Sequence, residues 1–165
     1  MLKNMPHELR SAIKMHIKNK LDIAELIKGY QLEGEDLSGA VITFLDVADE
    51  NISRCNFADA VVGTPSTVVN FNRVIAKECC FFRTTFPGKV LARQGDFRNS
   101  NFKGTFMPYV DYKYADMRNC NFCDCVFSIG SQKSYGAMFS EDFFKDLAQH
   151  WGVNITITSM ERKNG

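Results

Sequence analysis

Three cysteines crowd into six positions of DMRNCNFCDC, residues 116–125. Cys120-x-x-Cys123 has the spacing of half a zinc site or of a redox pair. A near copy sits twenty residues earlier, with DFRNSNF at 96–102 set against DMRNCNF at 116–122. There Ser100 occupies the place of Cys120. A ligand or redox sulfur should not trade places with a hydroxyl in a sister repeat, whereas a small packed side chain can. Zinc also needs four convergent ligands, and only one half-motif is present. The three histidines, His7, His16 and His150, fall in the two terminal segments, away from the repeats. Ser131, Lys133 and Ser134 form a Ser/Lys group with nucleophilic chemistry in principle, and read better as a polar exit turn. No glycine loop of the phosphate-cradling kind occurs. No metal, no cofactor and no catalytic residue is expected.

The element that places these cysteines is a repeat of five. Leu32, Leu37, Ile42, Val47, Ile52, Phe57 and Val62 are apolar at strict five-residue spacing. Phe97, Phe102, Met107, Tyr112, Met117, Phe122 and Phe127 repeat the pattern. Phe71, Ala76, Phe81 and Phe86 run between them, one register out. On a helix five residues advance by about 500°, which scatters such positions around the axis. On a flat strand an odd spacing alternates faces. A chain that turns a corner every five residues brings the same position inward each time, as a wound solenoid does. Two places before each centre the residue is usually small, as at Ala40, Cys55, Ala60, Cys79, Thr84, Ser100, Thr105 and Cys120. One place before, Asp or Asn recurs, and both suit tight turns by bonding nearby backbone. Cys55, Cys79, Cys120 and Cys125 thus become small inward residues, with Cys80 and Cys123 outward.

EDLSG at 35–39, CNFAD at 55–59, SNFKG at 100–104, ADMRN at 115–119 and CNFCD at 120–124 resemble the pentapeptide-repeat consensus A-(D/N)-L-x-x. The resemblance covers about residues 30–130. It implies an all-β solenoid, a right-handed quadrilateral β-helix with twenty residues per coil and about five coils. Leu37, Phe57, Phe81, Phe86, Phe97, Phe102, Phe122 and Phe127 are its expected structural core. The two register shifts cancel if Thr67 and Ala92 fill the missing centres, with one step of four residues and one of six. The alternative is two extruded loops, at 63–69 and 87–95.

A solenoid needs its ends closed. Residues 1–29 are expected as a helical cap, with Leu9, Ile13, His16 and Ile17 along one face and a capping box at Asp22–Glu25. Residues 131–165 are expected as a helix from Ser140 to about 150, stopped by Gly152, and a strand at VNITIT, serving as a cap or as a homodimer contact. The resemblance leans to the dimer.

Six thiols in a chain without a secretory apolar core suggest a reducing, cytoplasmic setting, and no membrane-spanning run is present. The expected function is a non-catalytic scaffold working through another protein. Val41, Val61 and Cys80 put apolar residues in an outward slot of one expected face. Phe44 and Phe82 lie near, with Phe106 and Val126 on the adjacent face. Val41, Phe44, Val61, Phe82 and Phe106 are the candidate partner-binding residues. The bland reading is that this chain's own termini or a second subunit cover them. The resemblance also implies a DNA mimic that binds gyrase or another type II topoisomerase. Mimicry needs a strongly anionic surface, yet residues 30–130 hold twelve Asp/Glu against ten Lys/Arg. A third reading takes residues 1–29, with six Lys/Arg and three Asp/Glu, as a contact for membrane or nucleic acid.

Overall fold

The protein is described from a computed structural model, in which residues 2–127 and 137–140 are placed, Phe127 by its backbone alone. Two helices lead, α1 (His7–Lys18) and α2 (Ala24–Ile27). Short strands follow: β1 (Val41–Ile42), β2 (Val61–Val62), β3 (Val68–Asn70), β4 (Lys89–Leu91), β5 (Phe106–Met107), β6 (Tyr109–Asp111), β7 (Asp116–Met117), β8 (Val126–Phe127) and β9 (Met138–Phe139). Every strand pairing is parallel.

These strands and the single bridges between them stack into four ladders, which we call sides. The first side runs Val41, Val61, Thr85, Phe106, Val126. The second runs Asp46, Asn70, Leu91, Asp111. The third runs Asn51, Ile75, Asp96, Asp116, Met138, and the fourth Asp36, Asn56, Cys80, Asn101, Asn121. From Leu37 to Met117 each residue after a rung is buried and is a centre of the five-residue repeat. The chain is therefore a β-solenoid.

The pentad chemistry explains three of the four corners. An Asp or Asn on a rung accepts the amide N–H two residues ahead, as Asp36 does from Ser38, Asn56 from Ala58 and Asn101 from Lys103. The centre's carbonyl then accepts the N–H three residues on, for example Leu37 from Ala40, Phe57 from Ala60 and Phe102 from Thr105. The residue between adopts left-handed backbone, at Asp49, Arg54, Asp59, Arg73, Glu78, Arg83, Gln94, Asn99, Tyr114, Asn119 and Asp124. A positive φ in third place is the signature of a type II turn.

The corner from the first side to the second differs. Its rungs carry Val, Thr or Phe, which cannot clamp the backbone in this way. The residues equivalent to the left-handed ones, Phe44, Gly88 and Tyr109, are not left-handed. This corner also absorbs both register shifts. Val41 pairs with Val61 twenty residues on, but Asp46 pairs with Asn70, twenty-four on. Four residues are thus inserted around Thr64–Thr67. The next coil gains one residue, since Val69 pairs with Val90.

The expected centre at Thr67 is corrected by this register. Thr67 is half-buried and its hydroxyl ties the inserted turn together, accepting the Thr64 N–H and donating to the Thr43 carbonyl. Phe71 therefore stacks one side earlier than a compact count gives. Ala92 is a buried centre. Gly88 sits where any Cβ would collide with the backbone oxygens of Thr64 and Thr67, so the insertion needs glycine beneath it.

The interior is a column of centres. Phe57, Phe81, Phe102 and Phe122 stack along the fourth side at 5.3, 4.8 and 5.2 Å between ring centroids, within 13° of parallel. Phe71 meets Phe81, Phe86 and Phe97 edge-on at 6.0–6.2 Å. Leu37 is buried too, and Phe122 is half-buried. Helix α1 packs on the first coil through buried Ile13, with Leu9 and Ile17 beside it and Arg10 paired to Glu35. The expected capping box is a different device. The Asp22 carboxylate accepts the Ala24 N–H and reaches Thr43 of the first coil, and Gly29 closes α2 at φ 78°. At the other end, Phe139 lies over Phe122 and Tyr112 at 5.9 and 5.7 Å. The rest of 131–165 lies outside the described residues.

Candidate functional site

The cysteine-rich stretch resolves into structure. Cys120 is half-buried and its Sγ–H donates to the Phe97 carbonyl of the coil beneath, at 3.0 Å. Cys123 is exposed. Cys55 and Cys79 donate in the same way to Leu32 and Ile52, at 2.5 and 3.1 Å. Ser100 does so with oxygen, accepting the Cys79 N–H at 3.0 Å and donating to the Ala76 carbonyl at 2.8 Å. Along the next corner Thr84 donates to the Phe57 carbonyl at 2.7 Å and Thr105 to that of Phe81 at 2.6 Å.

Sulfur and hydroxyl trade places because both are small donors. The inward slot supplies a bond from one coil to the next, a role that size alone does not reveal. The interchange of Cys, Ser and Thr at one pentad position is the sequence signal for it. Burial pushes the thiols of Cys55, Cys79, Cys120 and Cys125 up to about 12, so they stay protonated at neutral pH. Among the described residues no three His, Cys, Asp or Glu side chains gather where they could hold a metal ion.

The ion pairs between coils lie on the second, third and fourth sides and their corners. Arginines reach across one coil spacing to carboxylates: Arg73 to Asp49 and Arg83 to Asp59, both at 2.6 Å, and Arg93 to Asp111 at 2.7 Å. Arg98 bridges Asp96 and Asp116 at 2.7 and 3.5 Å, and Arg118 joins Asp116 at 2.6 Å. Hydrogen bonds from their arginines hold the Asp96 and Asp116 carboxyls below the usual range. Partial burial pushes Asp111 up, and its bonds from Arg93 and the Lys113 amide outweigh that, so its carboxyl also ends low. Asp96, Asp111 and Asp116 are thus each paired to an arginine in place.

The first side is the exception. The outward slots flanking its centres hold Val41, Thr43, Val61, Thr85, Phe106 and Val126, with Pro87 and Pro108 after two of the centres. None is charged. Val61, Phe106 and Val126 stand 40–50% exposed, and Phe44 at the irregular corner 53%. This corrects the expected grouping. The inserted residues shift the register, which brings Phe106 and Val126 onto the same side as Val41 and Val61. The same shift sends Cys80 and Phe82 to the fourth side. There the Arg83 guanidinium covers the Phe82 ring at 4.6 Å. Sequence reasoning missed Val68 and Tyr109, which add exposed apolar surface at the irregular corner. Their signal was the valine or aromatic residue just outside the pentad register.

No family model matches the sequence, and no curated protein matches it. Solved structures similar to this chain are pentapeptide-repeat proteins. HetL, from the cyanobacterium Nostoc and involved in heterocyst differentiation regulation, is 10% identical with a TM-score of 0.41, over 74% of this chain and 54% of HetL. The chain thus spans about half the length of HetL. A protein of the Arabidopsis thaliana thylakoid lumen is 15% identical with a TM-score of 0.32, over 76% of this chain and 79% of that one. QnrB1, a plasmid-mediated fluoroquinolone resistance protein, is 11% identical with a TM-score of 0.30, over 81% and 84%. The fold rests on this chain's own ladders: it is a β-solenoid built on a five-residue repeat.

Proposed function

We propose that the chain is a non-catalytic scaffold whose first side docks another protein. In this reading the solenoid is a right-handed quadrilateral β-helix over 30–130, with residues 1–29 as a helical cap and 131–165 as the closing segment. The observation that carries it is the run of uncharged, partly exposed side chains from Val41 to Val126 along the first side, while the ion pairs between coils fall on the other three. An apolar strip of that length on a soluble surface marks a contact. A DNA mimic gains little support, because the turn carboxylates that would imitate phosphates are mostly paired to arginine.

A photo-crosslinking residue tests the reading at position 61, with one at position 101 on the fourth side as control. In native lysate a discrete product should depend on position 61 and vanish with Phe106→Asp. Identical products from both positions would overturn docking through the first side. Protection of gyrase from a quinolone, unaffected by Phe106→Asp, would restore the mimic.

A further inference from the structure

We infer that the lower edge of the second side, at Asp46, binds an extended segment of another protein and seats a lysine or arginine of that segment beside Asp46 and Glu50. The inference goes beyond the docking reading and stands without it, because it uses a different side and a backbone edge.

Three of the four sides are closed at their lower end, toward the helices. On the first, Asp22 pairs with Val41, and the Ile23 N–H donates to the Val41 carbonyl at 3.0 Å. On the third, the stretch beneath Asn51 and Ser53 is itself covered, with Lys3 paired to Tyr30. On the fourth, Arg10 of α1 pairs with Glu35 and Lys20 donates to the Gly39 carbonyl, on either side of Asp36.

The second side is open. Asp46 begins its ladder. The Leu45 carbonyl and the Val47 N–H both serve the coil above, bonding Asn70 at 3.0 and 2.9 Å. The N–H and carbonyl of Asp46 itself face the other way, and no described residue bonds them. A rung in that state is a template for a further strand.

Between this rung and α2 runs a cleft lined in part by Ile27, Lys28, Gly29, Phe44, Asp46 and Glu50. Its charges do not balance. Glu25, Asp46 and Glu50 share it with a single cation, Lys28, which pairs with Glu25 at 3.6 Å. Asp46 and Glu50 make no ion pair among the described residues, whereas Asp49, between them in the chain, is taken by Arg73. Partial burial, and then the Asp46 charge, push the Glu50 carboxyl above its usual range. A cation beside both carboxylates relieves that repulsion. The Phe44 ring, 53% exposed along the same cleft, offers apolar surface to the stem of a lysine or arginine. The open rung calls for an extended main chain, and the two carboxylates call for a positive side chain on it. Every strand pairing in this fold is parallel. A segment added in the same sense points its side chain at the rung outward with that of Asp46.

The probe is the synthetic peptide acetyl-Thr-Val-Arg-Val-Thr-amide, titrated into the nitrogen-15-labelled full-length chain. Saturable amide shifts should centre on Asp46, Val47 and Glu50. Replacing the peptide's arginine by glutamate should weaken binding about tenfold or more, as attraction to two carboxylates turns to repulsion. Methylating the nitrogen of the valine after the arginine should also weaken it, since that N–H reaches the Asp46 carbonyl in a parallel pairing. Asp46→Asn with Glu50→Gln should weaken the arginine peptide several-fold. Asparagine keeps the turn bond to Ala48, so the fold is retained. Asp36→Asn removes a like charge from the fourth side and should leave binding unchanged. Shifts absent at millimolar peptide would overturn the inference, and so would equal binding of the glutamate peptide. Indifference to the double substitution would do the same, as would displacement of the peptide by an equimolar calcium salt, which assigns the carboxylates to a metal ion. A silent titration beside a position-61 crosslink leaves the docking reading standing, so the two failures are distinct.

Discussion

The first side and the fourth side are made by the same winding and differ in nearly everything else. On the fourth side Asp36, Asn56, Asn101 and Asn121 clamp the next turn, and the rings of Phe57, Phe81, Phe102 and Phe122 stack behind them. On the first side Val41, Val61, Phe106 and Val126 clamp nothing, and the corner that follows takes up every added residue. A side built on Asx clamps and left-handed turns has one permitted length. A side without them can lengthen, bulge and carry apolar groups outward. The irregular side is where the molecule has freedom to acquire a partner.

That contrast is broken most forcefully in the interior. Phe81→Ala removes the middle of a four-ring stack from a site with no solvent exposure, and should cost about 3–5 kcal/mol. Phe106→Ala on the first side should stay within about 1 kcal/mol, because the ring is already partly in water. Urea unfolding of both variants checks the pair, and comparable losses would mean that Phe106 is covered.

Gly88→Ala probes the irregular corner itself. Its new methyl group meets fixed backbone and should cost about 1–3 kcal/mol, as overpacking does. Removing residues 64–67 together with this substitution should recover most of the loss in thermal unfolding. Failure to recover would place the clash elsewhere.

Thr84→Val tests the coil-to-coil donors. The variant keeps the shape and loses the hydroxyl bond to Phe57, and should cost about 1–2 kcal/mol. An unchanged urea midpoint would reduce the inward slot to a matter of size.

The sequence already displayed the repeat, because an apolar residue every five positions has no helical or flat-strand explanation. The buried centres from Leu37 to Phe102 followed from that period. The clamp was legible too, since Asp and Asn preceded most centres. Two things were not. Thr67 sits at a pentad interval and is mid-sized, so its role in an inserted turn could not be told from that of a centre. Only the pairing of Asp46 with Asn70 decides it. Likewise Cys80 and Val61 carry the same slot in the sequence, and their sides differ solely through those four added residues. The apolar strip was visible as a composition, whereas its continuity depended on register.

Acid should separate the sides next. A carboxyl whose folded pKa is depressed adds stability above its unfolded value of about 4, and loses it as the pH falls toward the folded value. Asp96, Asp111 and Asp116 are all of this kind on the second and third sides, while the first side has Asp22 alone, at its lower end against Val41 and Thr43. Stability should be flat from neutral pH to about 5 and decline below about 4. Arg93→Met should make that decline shallower, since Asp111 then has less to lose. An equally steep decline would remove the pair from the acid response.

The smallest effect is the sharpest test of the comparison, because its sign changes between corners. Glu78 sits in left-handed backbone at φ 59°, where a side chain costs about 1–2 kcal/mol. Glycine bears no such cost but gives up about 0.5–1 kcal/mol of chain entropy. Glu78→Gly should therefore be neutral or stabilising by under about 1 kcal/mol. Tyr109 holds the equivalent position at the irregular corner, inside β6 and without left-handed backbone. There the entropy loss stands unopposed, so Tyr109→Gly should destabilise by about 0.5–1 kcal/mol or more. The same sign at both positions would mean that the corners share one backbone, and the distinction between the first side and the others would fall with it.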